Sequence, residues 1–283
     1  MDWAKSKIIL IIALIITNII LFTYILNDYN ARQDKTLSKE FIGKTVQLLE
    51  DEGIKLDTHI PTSKSKLPSL LVEFESYDKK DLNEKFFARN GKIEDPNSEF
   101  TQITFNTETL SIINTRRIIY ENSMKITQKK EVDFAQAQEL AKIFLMDRGF
   151  NVQNMQCNYF EEEDNVFRLS FSKLYEGVVI ERSYTNFVID NGVVTSMDRL
   201  WIDVKNKSQN EIYLSSAPKS LLRLLEDSSD YYNSTITSIK ECYYFDPEEQ
   251  GYVDDITRVM QGRAIPAWRI QFDDGTNTVV NSF

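Results

Sequence analysis

The sequence predicts an α+β protein: one N-terminal transmembrane helix, then repeated units of a helix packed on an antiparallel β-meander. Three observations carry that expectation. Residues 8–26 are free of charge, with Thr17, Asn18 and Thr23 as the polar breaks. Beyond them, stretches of helical apolar periodicity lead into runs that alternate apolar and polar residues. Finally, two local matches recur at nearly equal separation: residues 156–160 (QCNYF) resemble 241–245 (ECYYF), and 187–192 (FVIDNG) resemble 270–275 (IQFDDG). A single helix on a small sheet buries little alone, so the two units are expected to pack together.

The apolar run comes first. As a helix it would rise about 28 Å, near the roughly 30 Å of a hydrocarbon core. It exceeds the apolar region of a signal peptide, and residues 27–31 (NDYNA) offer no small-x-small cleavage site. An uncleaved anchor is therefore expected, with a tail at 1–7, the span at 8–26 and a connector at 27–35. Lys5 and Lys7 stand before the span and Arg32, Lys35 and Lys39 after it, so charge does not choose the orientation. Asn18 would lie in mid-membrane, where an amide gains by bonding to a neighbouring helix; Thr17 and Thr23 could extend that contact or bond back to their own helix.

The remaining chain divides into an N-terminal lobe, 36–125, and a C-terminal lobe, 126–283, holding two helix-meander units. Leu37, Phe41, Leu48 and Leu49 recur at helical spacing until Gly53. Residues 59–68 read as loop and 70–74 as strand. A weaker helix is expected over 81–89, and strands of a meander over 101–105, 111–114 and 117–120. Asp133 and Gln136 form the pattern of a capping box. Ala137, Leu140, Ala141, Phe144 and Leu145 make one helix face, and Gly149 suits the left-handed cap. Strands follow at 154–160 and 166–171, where Phe167, Leu169 and Phe171 alternate with Arg168 and Ser170. More are expected at 178–182, 184–189 and 193–202, with Asp190-Asn191-Gly192 as a hairpin turn. Ser216 then caps a helix carrying Leu221, Leu222, Leu224 and Leu225. A strand over 236–245, an acidic loop, the alternating Trp268, Ile270 and Phe272, and a turn at 273–275 lead to a last strand near Val280.

Composition limits the function. The chain has 283 residues, 42% hydrophobic, with 17 Phe and 13 Tyr, which is too aromatic for disorder. A net charge of −10 argues against nucleic acid as a partner and against lying flat on an anionic bilayer. Cys157 and Cys242 could pair in an oxidising compartment; the alternative, favoured because both sit in strand-like runs, is two small buried hydrophobes.

The chain carries few groups in patterns that do chemistry. The one histidine, His59, lies in a Pro/Ser/Lys loop with no thiol or serine elbow beside it. No HExxH, CxxC, P-loop or GxGxxG motif is present. The carboxylates at 161–164 (EEED) and at Asp246, Glu248 and Glu249 read as solvated hairpin loops, without the glycine turn of a calcium loop. A glycosidase-type pair is a spatial matter that sequence leaves open. We expect no catalytic residue, no cofactor and no metal.

The opening Met1-Asp2-Trp3-Ala4-Lys5-Ser6-Lys7, running into an isoleucine-rich segment with Asn18, followed by helix-then-meander units ending in residues 187–192 (FVIDNG), resembles the YycI (WalI) family. That resemblance implies an N-terminus in the cytoplasm and an extracytoplasmic bulk related to YycH. It also implies partners, namely a YycH-like sister protein and the YycG-like sensor histidine kinase of the YycFG (WalKR) system. The implied role is to modulate a kinase that controls cell-wall metabolism, partly through transmembrane helices, with no catalytic residues. Two other classes stand beside it: a PepSY-type binding or inhibitory module that does not act on a kinase, and an anchored wall hydrolase.

Overall fold

The computed structural model describes residues 7, 11–12, 14–19, 21–22, 34–127, 130–226, 228–248 and 254–281. A short 3-10 turn at Lys35–Leu37 precedes α1 (Lys39–Asp51), capped by the Ser38 hydroxyl, which accepts from the Phe41 N–H. Gly53 ends it in the left-handed region, as its place in the sequence suggests. Then come β1 (Lys55–Leu56), β2 (Lys66–Phe74) and α2 (Lys79–Phe87), the last capped by Asp78. β3 (Lys92–Glu94), β4 (Phe100–Phe105), β5 (Glu108–Ile113) and β6 (Arg117–Asn122) form the first meander. α3 (Phe134–Asp147) begins with the capping box of Asp133 and Gln136. β7 (Met155–Glu163), β8 (Val166–Tyr175), β9 (Val178–Asp190), β10 (Val193–Leu200) and β11 (Ile202–Tyr213) follow. Asn191 and Gly192, both with positive φ, make the β9–β10 turn. A short α4 (Ala217–Leu221) precedes β12 (Thr235–Tyr244), β13 (Gln261–Phe272) and β14 (Asn277–Asn281).

The elements assemble differently from the expectation. Among the described residues the strands join into one 14-stranded mixed sheet, with the main order β11-β2-β13-β12-β9-β10-β6-β5-β4-β3. This corrects the reading of repeated helix-on-meander units. β12 runs parallel to both β1 and β9, and β2 inserts between β11 and β13. Successive strand groups therefore pair edge to edge instead of stacking as separate sheets. The matched segments occupy unlike places. β7 pairs with β8 and is largely exposed over its second half, whereas β12 lies within the sheet and is buried at Cys242, Tyr243 and Tyr244. Their likeness reflects a shared alternation that any half-buried strand can show.

The N-terminal expectation is corrected as well. Among the described residues no helix is long and apolar enough to cross a membrane. A hydropathic run becomes a span only when one continuous helix of about 20 residues carries it. The expected single-pass location, with a cytoplasmic N-terminus and an extracytoplasmic bulk, is therefore not carried by any helix among the described residues. Thr17 and Asn18 are helical and exposed, while Thr23 and most of 1–7 and 27–35 lie outside the described residues.

Two helix-covered cores hold the sheet. In the larger, Leu82 and Phe87 of α2 and Ala137, Ala141 and Leu145 of α3 pack with Ile103, Leu110, Tyr120, Phe167, Phe187 and Met197. In the other, Leu49 of α1 and Leu221 and Leu224 meet Ile236, Trp268, Ile270 and Phe272. Alternation along β13 sends Trp268, Ile270 and Phe272 into this second core, leaving Arg269 and Gln271 for the opposite face. That opposite face holds the candidate site.

Candidate binding cleft

β9 is bent by a bulge. Its ladder with β8 shifts between Ser172 and Lys173, leaving residues 181–183 of β9 without partners in β8, and Arg182 takes φ 64°. The bulge places Glu181 and Arg182 on different neighbours. Arg182 bonds to the fully buried Asp246, through Nε at 2.6 Å and also through Nη2. Asp246 is thus no solvated loop residue: its other oxygen accepts from the Glu248 N–H at 3.1 Å, and Glu248 accepts from the Ile256 N–H at 2.6 Å. Here the sequence reading of an exposed acidic loop was mistaken, because a carboxylate that caps a turn and meets an arginine is written with the same letters as a wet one.

Glu181 instead reaches Arg269 of β13, with Nε 3.4 Å from Oε1 and both side chains about nine-tenths buried. The pair is long for a charge-assisted hydrogen bond. Neither Arg269 Nε nor Glu181 Oε1 makes a hydrogen bond, and the nearby Asn158 Nδ2 makes none. Burial pushes the Glu181 carboxyl above its ordinary range, against the pull of Arg269 and Arg182.

Arg269 and Asn158 line a cleft of about 750 Å³, within the usual size of a ligand pocket. Gln156, Cys157 and Asn158 of β7 form one wall, Gly177 to Val179 another, and Ser238 to Glu241 of β12 run along it beside Arg269 and Gln271. β7 is held close by the Tyr159 ring, which lies directly over Gly275, and by Gln271 Nε2, which donates to the Asn158 carbonyl at 3.4 Å.

The cleft is poor in reactive groups. The Cys157 thiol donates to the Tyr159 carbonyl at 3.3 Å, and burial raises its pKa; the fully buried Cys242 thiol is raised well above its usual value, also by burial. Both cysteines are free. A thiol raised in this way holds little thiolate, the nucleophilic form. His59 sits exposed in its loop, and residues 161–164 (EEED) are exposed at the β7–β8 turn. Among the described residues no cluster of three or more His, Cys, Asp or Glu could hold a metal ion. What the arrangement offers is hydrogen bonding from a recessed polar floor.

Sequence reading missed Glu181, Arg269 and Asn158 as a group. One signal was available: β13 alternates large buried residues with Arg269 and Gln271, and a charged residue in the middle of an interior strand marks a face that meets something polar.

The architecture defines a class, a mixed β-sheet domain with helices over two of its cores; in this chain a polar cleft lies on the other face of β13. Solved structures share the fold. An uncharacterized protein from Eubacterium rectale matches with a TM-score of 0.51 at 10% identity, covering 80% of this chain and 86% of its own. YycH from Bacillus subtilis matches with a TM-score of 0.52 at 14% identity over 78% of this chain. The match takes in 53% of YycH, so the chain spans about half of that protein's length. The likeness is one of fold. No protein-family model and no curated protein matches the sequence, so the finer YycI resemblance has no sequence match behind it.

Proposed function

We propose that this chain is a non-enzymatic accessory that modulates a YycG-like sensor histidine kinase controlling cell-wall metabolism, through contacts of its folded β domain with the kinase or a YycH-like sister protein. The observation that carries the reading is the fold shared with YycH over 78% of the chain. The cleft supports it from the chemical side: its lining residues Arg269 and Asn158 hold N–H groups without acceptors, and burial raises the pKa of its one thiol, Cys157. In the source organism, deleting the gene should change transcription from promoters under the kinase's response regulator, and restoring the full chain should reverse the change. Unchanged output in the deletion strain would refute the kinase role. The unsatisfied polar atoms also favour the second reading, a binding module of PepSY type acting on another protein, and that reading would then stand first.

A further inference from the structure

The edge of β12 is interrupted. On one side the strand pairs with β13 over nearly its whole length. On the other, β1 pairs in parallel with Thr235 and Ile236, and β9 pairs in parallel with Cys242 and Tyr243. Between them residues 237–241 have no strand partner among the described residues, and no loop backbone bonds to them there. Open strand edges are ordinarily shielded or filled. This one lies inside the sheet, and the 750 Å³ cleft opens over it, with Pro61 beyond β1 at one end and Gly177 to Val179 of β9 at the other.

We propose that the cleft takes an extended segment of a partner polypeptide, which adds as a strand along residues 237–241 of β12, parallel to it like β1 and β9. Five residues of strand measure about 17 Å. The lining chooses among ligand chemistries. Arg269 and Asn158 line the cleft, and each carries an N–H without an acceptor. Lys240 and Glu241 line it as well, so a lone anion would meet Glu241 and a lone cation would meet Arg269 and Lys240. A peptide backbone presents carbonyl and N–H in alternation and suits both the side-chain donors and the open edge of β12. Main-chain pairing of this kind supplies affinity that tolerates many side chains, so a generic strand-forming peptide is a fair probe.

The inference shares with the kinase reading only the premise that the chain works by binding, and its test involves no kinase, so the two fail separately. Amide hydrogen exchange would be followed in the full chain, alone and with millimolar acetyl-Thr-Val-Thr-Val-Thr-amide. In the free protein, the amides of 237–241 that do not bond to β13 should exchange fast; the peptide should slow them. Two N-methylated forms of the peptide provide the control, one methylated on both valine nitrogens and one on the central threonine nitrogen. Backbone pairing requires the form whose methyls face β12 to bind about tenfold more weakly than the other, the loss of one or two hydrogen bonds. Asn158→Ala should weaken the unmodified peptide several-fold without unfolding the protein. Slow exchange of every 237–241 amide in the free chain, no protection by the peptide, or equal protection by both methylated forms would overturn the proposal.

Discussion

Two buried arginines show how differently the halves of the sheet are finished. Arg199 of β10 is fully buried, and each nitrogen is used: Nε donates to Tyr77 Oη at 3.2 Å, Nη1 to Thr185 Oγ1 at 2.8 Å and Nη2 to Glu75 at 3.0 Å, with the guanidinium 4.3 Å from the Trp201 ring centroid. Arg269 of β13 is buried almost as deeply, yet its Nε has only the long approach to Glu181. A satisfied buried charge fixes a packing arrangement, whereas an unsatisfied one keeps bonding capacity in reserve. The contrast assigns Arg199 to the framework and Arg269 to the cleft.

The sharpest way to break this contrast is to remove each cation. Arg199→Met should cost about 3–5 kcal/mol in urea unfolding, because Glu75 and two hydroxyls lose their partner. Arg269→Met should cost less, about 1–2 kcal/mol, since a half-made pair has less to lose and Glu181 can take up a proton. Equal losses would erase the distinction.

The next effect in size concerns the wall of the cleft. Gly275 has φ 82°, and a Cβ there would lie 1.9 Å from the Tyr159 ring. Gly275→Ala should cost about 2 kcal/mol and lift β7 from the β13–β14 turn, seen as faster amide exchange in 156–160. Unchanged exchange would show that β7 is held by other contacts.

A smaller effect follows from Glu181. Its carboxyl titrates above the ordinary value near 4.5 when folded, so the folded state holds this proton more tightly than the unfolded chain. The charged form therefore lowers stability at neutral pH, and that penalty fades as pH falls through the folded pKa towards 4.5. Glu181→Gln should be more stable than the native chain at pH 7, with the difference vanishing in acid. A difference that instead grows in acid would mean that Arg269 dominates the site. The smallest effect is expected at the exposed β7–β8 turn. Glu162→Gln should leave stability within about 0.5 kcal/mol, and neither form should hydrolyse peptidoglycan or peptides. Turnover abolished by that change would make the chain a hydrolase.

Much of the local structure was legible because it depends on neighbours in sequence. The Asp133–Gln136 capping box, the Asn191-Gly192 turn, the Gly53 and Gly149 helix ends and the Phe167, Leu169 and Phe171 alternation all stand where periodicity puts them. Pairing was not legible. Nothing local says that β2 lies between β11 and β13, or that β12 runs parallel to β9, since these ladders join residues far apart in the chain. The cleft depends on those ladders. Cys157 and Cys242 read alike in sequence, yet one lines the cleft and the other is packed with Tyr244 and Ala267. The carboxylates show the same limit, with Asp246 fully buried on Arg182 and residues 161–164 exposed.

Joined, the kinase reading and the cleft proposal make one claim, that the cleft is the surface through which the folded β domain would act on a sensor kinase, and co-purification tests it most directly. The full chain and its Ser238→Tyr variant, whose ring would occupy the cleft, would each be expressed in the source organism with a tagged YycG-like kinase, and the amount recovered on the kinase measured. The account predicts that the native chain is recovered and that the variant, at equal cellular level and equal stability, is recovered several-fold less. Equal recovery of the two, or recovery of neither, would contradict it.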